Sequence, residues 1–349
     1  MTRPSKVFSP QRNHHQKVTE RSHRKPDQKE PTMPRPTILY VSNLAYPAKG
    51  RRYCDEDIYL TSNLRQHFDL AITHPEDATA LMHAYDTVVV RNSGPVIDYP
   101  TAYATFRATA NSTGQRVYNP LTGKADMVGK QYLIDLTNAG YPVIPTIDTL
   151  ADLDTLADHL PTPLSNPTGP EALTYVVKPK AGADSHGLEF HTRQSLENRE
   201  STLGTSKPPT KSSTKSSAES PTESPTESPA DSPGDTLIQP KIDFRYEVSF
   251  YFVDQDFQYA LHAPDPTKRW DLTLYTPSRT DLEFAQKFIA WNALPHGIQR
   301  VDACRTQSGD LLLVELEDLN PYLSLDRTTD DIRTRFVQAM TSSLRGSLA

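Results

Sequence analysis

The stretch RVDACRTQSGDLLLVELEDLNPYLSLD, residues 300–326, has the pattern of two neighbouring strands joined by a tight turn. Residues 307–310 are polar and include Gly309, which is typical of a turn. Residues 311–314 are leucine and valine, as expected of the returning strand. The stretch therefore predicts a β-hairpin that ends in the acidic motif Glu-Leu-Glu.

The acidic side chains of this hairpin fall on one face. Glu315 and Glu317 are two residues apart, so they point to the same side of an extended strand, and the hairpin brings Asp302 across to them. Three carboxylates in a half-buried sheet repel each other unless a cation lies between them, and oxygen ligands of this kind suit Mg²⁺. The hairpin thus predicts a metal site, although alternating acids also occur on the solvent face of edge strands.

A second stretch, YVVKPKAGADSHGLEF at residues 175–190, has the pattern of a phosphate-binding loop. A short strand ends at Lys178 and is followed by a loop that contains Gly182, Ser185 and Gly187. Glycine lets backbone N–H groups approach a phosphate, and a lysine at the end of a strand adds a positive charge. These residues are a weak signal alone, but their order before the acidic hairpin is specific.

Together the two stretches resemble the ATP-grasp family of carboxylate ligases, in which two lysines and a glycine-rich loop hold ATP and a late acidic hairpin holds magnesium. The resemblance extends from about Lys130 to Asp326 and is strongest in LIQPKIDFRYEVSFYF, residues 237–252, and VELEDLNPYL, residues 314–323. The second segment is similar to the variant found in the branch of the D-cycloserine-forming cyclo-ligase and related amino-acid ligases. The resemblance implies an α/β (α+β) fold, with an ATP-grasp domain preceded by a parallel α/β domain.

The resemblance also implies a nucleotide site. In the family, two lysines bind the α- and β-phosphates, and the matching residues here are Lys130 and Lys178. The residues of the glycine-rich loop close over the γ-phosphate. Backbone groups near Gln239 and Ile242 meet the adenine, and Glu247 binds the ribose hydroxyls. Lys124 competes with Lys130 for the role of the first lysine. The residues implied to contact ATP are Lys130, Lys178, Gly182, Ser185, Gly187, Gln239, Ile242 and Glu247.

The metal ligands and catalytic cations follow from the same resemblance. Arg269, next to Lys268, and Arg300 are implied to neutralise charge during phosphoryl transfer. Many relatives have Glu-x-Asn where this chain has Glu-Leu-Glu, which leaves the identity of the third ligand open to Asn320. The implied ligands of Mg²⁺, or of Mn²⁺ in its place, are Asp302, Glu315 and Glu317.

Composition divides the chain into segments. Residues 1–36 are basic and polar with few large apolar side chains, which predicts a disordered tail, and Met33 is an alternative start to the first methionine. Residues 37–118 form the predicted parallel α/β domain, and residues 119–349 the ATP-grasp domain. Residues 201–235 repeat Thr-Glu-Ser-Pro and predict a disordered insertion, either a tolerated surface segment or a tethering or phosphorylated one.

The parallel α/β domain is predicted from alternating patterns: strands at residues 37–42, 70–73 and 86–91, and helices at residues 58–68 and 74–85. Ligands of such sheets bind at the carboxyl ends of the strands. Arg91 and Asn92 lie at one such end and are candidates for binding a substrate carboxylate. A structural role for the arginine is equally consistent with the sequence.

Further helices are predicted at residues 124–140, 149–159 and 280–294, and a closing helix at residues 326–349. The helix at residues 124–140 is expected to end at Gly140 and to be followed by a short strand at residues 143–144. After Phe190 the regular pattern ends.

Composition limits the partners. The net charge of −6 disfavours a nucleic-acid-binding surface, and no apolar run reaches the length of a membrane span. Two cysteines fit a reducing, cytoplasmic location. The sequence is consistent with a homodimer but does not predict one.

The sequence predicts an ATP-dependent ligase that activates a carboxylate as an acyl phosphate and joins it to an amine or similar nucleophile, releasing ADP and phosphate. The expected substrates are small and amino-acid-like, and neither their identity nor the choice between ligation and cyclisation is encoded in a readable motif. The alternatives are a protein-modifying ligase, a carboxylate kinase and a non-catalytic ATP-binding protein.

Overall fold

The computed structural model describes residues 34–46, 52–156, 173–181, 187–203 and 236–349, with the backbone alone at residues 199–203. The predicted tail up to residue 33 and most of the predicted insertion, from residue 204 to residue 235, lie outside the described residues. Gly182, Ser185 and the last residues of the predicted helix at 149–159 also lie outside them.

The N-terminal sheet is parallel, with the strand order β2-β1-β3-β4. Its strands are rich in β-branched and aromatic side chains, and Ile38 and Leu39 are fully buried. The predicted parallel α/β unit is confirmed. The strands are β1 (Thr37–Val41), β2 (Asp69–Thr73), β3 (Thr87–Val90) and β4 (Val117–Tyr118), and the helices are α1 (Tyr53–Leu64), α2 (Ala78–Leu81) and α3 (Pro100–Thr113).

Several details of this unit differ from the sequence prediction. The predicted helix at residues 74–85 is α-helical only at Ala78–Leu81, with a short 3₁₀ turn on either side. Helix α1 begins at Tyr53, earlier than the predicted residue 58. Helix α3 was not predicted, although Pro100 at its first turn and Gly114 with a φ of 69° beyond its end are standard boundary signals.

The second sheet is small and antiparallel, with the order β6-β5-β7. Strand β5 carries Lys178 one residue before its end. The strands are β5 (Thr174–Pro179), β6 (Glu189–Thr192) and β7 (Thr236–Pro240), and the helices that precede or follow them are α4 (Tyr132–Asn138), α5 (Leu153–Leu156) and α6 (Arg193–Leu203).

Three predictions for this region were wrong. The helix predicted from residue 124 begins only at Tyr132, because Lys124 instead contacts the end of another helix: its backbone N–H donates to Asn292 Oδ1 at 2.8 Å. Helix α6 follows Phe190, where no regular structure was expected, and its backbone extends to Leu203. Residues 143–144 make only an isolated bridge, at Val143.

The third sheet is antiparallel, with the order β10-β9-β8-β11-β12, and it includes the predicted hairpin. Helix α7 has a capping box at Ser278, with side-chain and backbone hydrogen bonds to and from Asp281. The strands are β8 (Phe244–Val253), β9 (Asp256–Ala263), β10 (Thr273–Tyr275), β11 (Ile298–Thr306) and β12 (Leu311–Glu317), and the helices are α7 (Arg279–Asn292) and α8 (Asp330–Leu348).

The register of the hairpin positions its acids. Asp302 on β11 lies opposite Glu315 on β12 and opposite Ser249 on β8. The register shifts between Asp302 and Ala303, and Val314 is the extra residue in β12. The face shared by the three acids was therefore predicted correctly from period-two spacing.

In the described part of the chain, no helix combines the length and the apolar character needed to cross a membrane.

Candidate active site

A cleft of about 200 Å³ lies over the third sheet and reaches the N-terminal sheet. Its acidic side chains come from neighbouring strands and from the short helical turn at residues 126–128. They include all three predicted metal ligands. The acids that line the cleft are Asp126, Glu247, Asp302, Glu315 and Glu317.

Two cations are set among these acids. Lys130 Nζ lies 3.1 Å from Asp126 Oδ2 and also contacts Glu315. Arg300 makes a fork with Asp302, at 2.8–3.1 Å, and also contacts Glu317. The mutual repulsion predicted for the acids is thus relieved by Lys130 and Arg300.

The carboxylates that line the cleft are candidate ligands for a divalent cation. As the side chains stand, no three acids of the described residues converge closely enough to hold a metal ion. The chemistry nevertheless suits Mg²⁺, since Asp302, Glu315 and Glu317 offer hard oxygen donors on one face of the cleft. Burial raises the pKa of Glu317 to about 8, with Asp302 adding repulsion, so a cation binding there would displace a proton.

Lys178 differs from Lys130 in its surroundings. It is half-buried, and its ammonium has no partner among the described residues. Burial and repulsion from Lys130 lower the pKa of Lys178 to about 7. Its neighbour Lys180 is occupied, because its Nζ contacts Asp148 at 2.9 Å and its carbonyl accepts the Lys130 N–H at 2.8 Å. The end of β5 is therefore connected to residues 123–131, the segment before α4 that we call the Lys130 loop.

The Lys130 loop is also held by Asp318, which the sequence analysis did not identify. Asp318 follows the acidic motif and is fully buried; it accepts hydrogen bonds from the backbone N–H groups of Met127 at 2.7 Å and Ala125 at 3.2 Å. Burial raises the pKa of Asp318 to about 6. A Cβ at Gly123 would lie 3.0 Å from Asp318 Cγ and closer still to Oδ2, so only glycine fits there. No sequence motif marks this contact.

The predicted ribose carboxylate and one predicted cation lie together in the cleft. Arg269 Nε and Nη2 donate to Glu247 at 2.8 and 3.0 Å. Lys268, the neighbouring candidate, makes only an exposed contact with Asp265 at 3.8 Å. The geometry thus favours Arg269 over Lys268 as the cation of the cleft.

The predicted adenine hinge lies between the second and third sheets. Gln239 is buried and donates from Nε2 to Thr146 Oγ1 at 2.8 Å. Ile242 packs in a small apolar cluster with Ile144 and Leu312. Gly187, at the end of the glycine-rich loop, is exposed.

Arg91, the candidate for binding a substrate carboxylate, does not line the cleft. It is 1% exposed, and its Nη2 donates to Pro321 O at 2.6 Å and contacts Glu56 at 3.4 Å. Asn92 does line the cleft, but its amide donates to Asp57 at 3.0 Å. The structural role, the alternative that the sequence left open, fits Arg91.

An aromatic wall faces the acids and has no counterpart in the sequence prediction. The Tyr53 and Tyr322 rings stack with their centroids 4.0 Å apart, and Tyr46 lies 5.9 Å from Tyr53. Trp270 lines the cleft and is 49% exposed. These residues come from separate segments, and no local pattern links them.

No protein-family model matches this chain. The cycloserine biosynthesis protein DcsG of Streptomyces lavendulae is 24% identical over 292 residues, which cover 77% of this chain and 87% of that protein. The crystal structure of the D-cycloserine synthetase DcsG has a TM-score of 0.61 and 21% identity, covering 88% of this chain and 99% of that one.

Other ligases of known structure share the fold. The D-alanine–D-alanine ligase from Bacillus anthracis in complex with ATP has a TM-score of 0.55 and 13% identity, covering 90% of this chain and 97% of that chain. The ATP-grasp ligase PsnB, in complex with a minimal precursor variant, Mg and ADP, has a TM-score of 0.53 and 14% identity, covering 88% and 96%. The fold predicted from the sequence is confirmed by these comparisons.

Proposed function

We propose that this chain, which has the fold of the ATP-grasp ligases, is an ATP-dependent ligase that joins a carboxylate to an amine or a similar nucleophile and forms ADP. The observation that carries the proposal is the cleft in which Asp302, Glu315 and Glu317 face Lys130 and Arg300. A fixed set of paired cations and anions, with Lys178 nearby and without a partner among the described residues, suits a bound polyphosphate.

In this proposal the lysines bind the phosphates of ATP. The Lys130 ammonium would then exchange its carboxylate contacts for phosphate oxygens. The Lys178 ammonium, which has no partner among the described residues, would gain phosphate oxygens. Glu247 accepts hydrogen bonds from the ribose, and Arg269, now paired with Glu247, turns toward the transferred phosphate. Mg²⁺ held by the three hairpin acids would neutralise charge on the phosphate oxygens.

The chemical step needs positioning more than bond-making by the protein. The substrate carboxylate attacks the γ-phosphorus, ADP leaves, and the resulting acyl phosphate is captured by an amine with loss of inorganic phosphate. Arg300 stays beside the reacting groups, because Asp302 and the Tyr322 carbonyl, at 2.7 Å from Nη1, hold its guanidinium. A fixed cation there stabilises the negative charge that develops on the transferred group.

The test is to incubate the full chain with ATP, Mg²⁺ and pooled amino acids and amines, and to resolve the nucleotides and any new masses together. We expect ADP with a product lighter by one water than its parts. Lys178→Met should abolish turnover, whereas Lys287→Met, an exposed lysine on α7, should not change it.

Other outcomes separate the alternatives. AMP and pyrophosphate would contradict an acyl-phosphate mechanism. ADP formed only when a peptide is added would favour a protein-modifying ligase, and ADP with an accumulating acyl phosphate would favour a carboxylate kinase. Folded protein that binds no nucleotide in the presence of Mg²⁺ would overturn the proposal.

A further inference from the structure

A second, smaller cavity of about 40 Å³ lies in the N-terminal unit, beside the main cleft. We call it the switch-point pocket. It lies at the carboxyl ends of β1 and β3, between short helical segments and α3. Most of its lining is apolar and includes Val41, Val90, Val96, Ala102 and Leu319, with Ser93, Tyr99 and Tyr103 as its hydroxyl-bearing residues.

The position of this pocket is that of a ligand site in sheets of this kind. From β1 the chain passes to β2 on one side, and from β2 it crosses to β3 on the other side. The crevice between β1 and β3, at their carboxyl ends, is where open α/β sheets bind ligands. Val41 and Val90 are register partners at those ends, and both line the pocket.

The pocket adjoins the main cleft. Gly94 and Leu319 line both cavities, and Leu319 is two residues beyond Glu317 of the acidic motif. Asn320 fixes this shared wall, since its amide donates to Ser93 Oγ at 2.7 Å and to Gly94 O at 3.3 Å. A substrate whose carboxylate lies at the acids of the hairpin is therefore next to this pocket.

The lining selects an apolar group. The polar atoms of its side chains already have partners: Tyr99 Oη accepts a hydrogen bond from Asn43 at 2.6 Å, and Tyr103 Oη donates to Met127 O at 2.8 Å. The Ser93 hydroxyl is occupied by Asn320. A polar substituent entering the pocket would lose its water without gaining a hydrogen bond, whereas an aliphatic one gains burial.

The volume limits the size of that group. About 10–15 Å³ of such space holds one water molecule, so a pocket of about 40 Å³ holds roughly three heavy atoms. We infer that the substrate carries a short, branched aliphatic side chain, of about the size of an isopropyl or isobutyl group, which binds in the switch-point pocket while the substrate's carboxylate lies in the main cleft. This inference rests on the proposed function and names the class of carboxylate that it uses.

The experiment uses a side-chain series on one chemical scaffold: glycine, alanine, 2-aminobutyrate, valine, leucine and phenylalanine, each with ATP and Mg²⁺ and the same pool of amines. ADP release gives kcat and KM for each compound. In the wild-type chain kcat/KM should rise by roughly tenfold per added methylene group up to valine or leucine and then fall at phenylalanine.

Two variants change the pocket at residues that do not line the main cleft. Ala102→Leu, on α3, fills the pocket and should raise KM for valine and leucine at least about tenfold, while that for alanine stays within about twofold. Ala104→Leu, the same change on the exposed face of the same helix, is the matched control and should change neither. Val96→Ala enlarges the pocket and should move the optimum to a longer side chain.

A second measurement does not depend on turnover. Calorimetric binding of the same compounds, in the presence of ADP and Mg²⁺, should follow the same order and respond in the same way to Ala102→Leu. ADP formation with the same kcat/KM for all side chains would contradict the role of the pocket and leave the proposed function standing. An equal loss of kcat/KM for all compounds in Ala102→Leu would do the same. If the compounds bind in the expected order of side chains but no ADP forms with any of them, the proposed function is wrong and the role of the pocket in binding stands.

Discussion

Lys178 shows how one residue links burial to nucleotide binding. Its ammonium is half-buried, has no partner among the described residues, and is repelled by Lys130, which together lower its pKa to about 7. Above pH 7 the free protein therefore holds much of this lysine in the neutral form. A phosphate favours the charged form, so binding restores the proton.

We accordingly predict that ATP binding at pH 8 in the absence of Mg²⁺, which would displace a proton from Glu317, takes up most of one proton. Calorimetry in two buffers with different ionisation enthalpies measures the uptake directly. Lys178→Arg, whose guanidinium stays charged at every working pH, should bind ATP with little or no uptake. Equal uptake in both proteins would assign the proton to another group.

Gly123 is a second residue whose role depends on one close approach. Any Cβ there would displace Asp318, which holds Ala125 and Met127 and thereby the Lys130 loop. Gly123→Ala should therefore lower the free energy of unfolding by about 1–3 kcal/mol, the cost of leaving buried hydrogen-bonding groups unpaired. It should also weaken ATP binding.

Urea unfolding measures this change. Gly346→Ala is the matched control: a Cβ at this position in α8 meets nothing within 4 Å, and alanine favours a helix. It should leave stability unchanged or raise it slightly. If Gly123→Ala behaves like Gly346→Ala, Asp318 adapts and the loop does not depend on it.

At the scale of elements, the β11–β12 hairpin followed most directly from the sequence. Period two and a polar turn predicted its strands and the shared face of its acids, because both are local properties of the chain. The bulge at Val314 was not predicted, since it is a property of the pairing of β12 with β11 and not of either strand's own pattern. Helix α4 was placed too early for a related reason: Lys124 is held by the end of α7, a contact that no local pattern contains.

The hairpin also decides which residue completes a metal site. Glu317 faces Asp302 through Arg300, whereas the Asn320 amide is committed to Ser93 and Gly94. Glu317→Gln should raise the Mg²⁺ concentration needed for half-maximal ATP binding by at least about tenfold, because a charged ligand is lost. Asn320→Ala should leave it nearly unchanged.

The apo-protein provides an internal check on these two variants. At pH 7 Glu317→Gln should not lower the melting temperature, since burial outweighs the attraction of Arg300 and raises the pKa of this carboxyl to about 8, so that the neutral form already prevails. If the Mg²⁺ concentration for half-maximal ATP binding rises in Asn320→Ala and not in Glu317→Gln, Asn320 and not Glu317 is the third ligand.

For the molecule as a whole, the least predictable feature is the connection between the N-terminal sheet and the acidic motif. Glu56 on α1 accepts hydrogen bonds from the backbone N–H groups of Leu323 at 3.0 Å and Leu325 at 3.3 Å, and it contacts Arg91. These partners are far apart in sequence, so composition and periodicity carry no sign of them. The same contacts give Arg91, which directly follows strand β3, partners within the fold.

This connection has a pH dependence with a definite sign. Burial raises the pKa of Glu56 to about 7, although Arg91 and the two N–H groups oppose the shift. In the unfolded chain a glutamate titrates near pH 4.3. Between these values the folded protein keeps a proton that the unfolded chain releases, so the stability contributed by this group falls as the pH rises from about 4.3 to about 7.

We predict that Glu56→Gln, which stays neutral, removes this fall. Urea unfolding at pH 5 and at pH 8 gives the difference in unfolding free energy between wild type and variant at each pH. That difference should move in favour of the variant by up to about 3 kcal/mol as the pH rises, the limit set by a shift of this size. Glu76→Gln, at an exposed site in the same unit, should show no such change. A difference that stays constant with pH would mean that Glu56 is already ionised at pH 5 and that its pairing with Arg91 outweighs its burial.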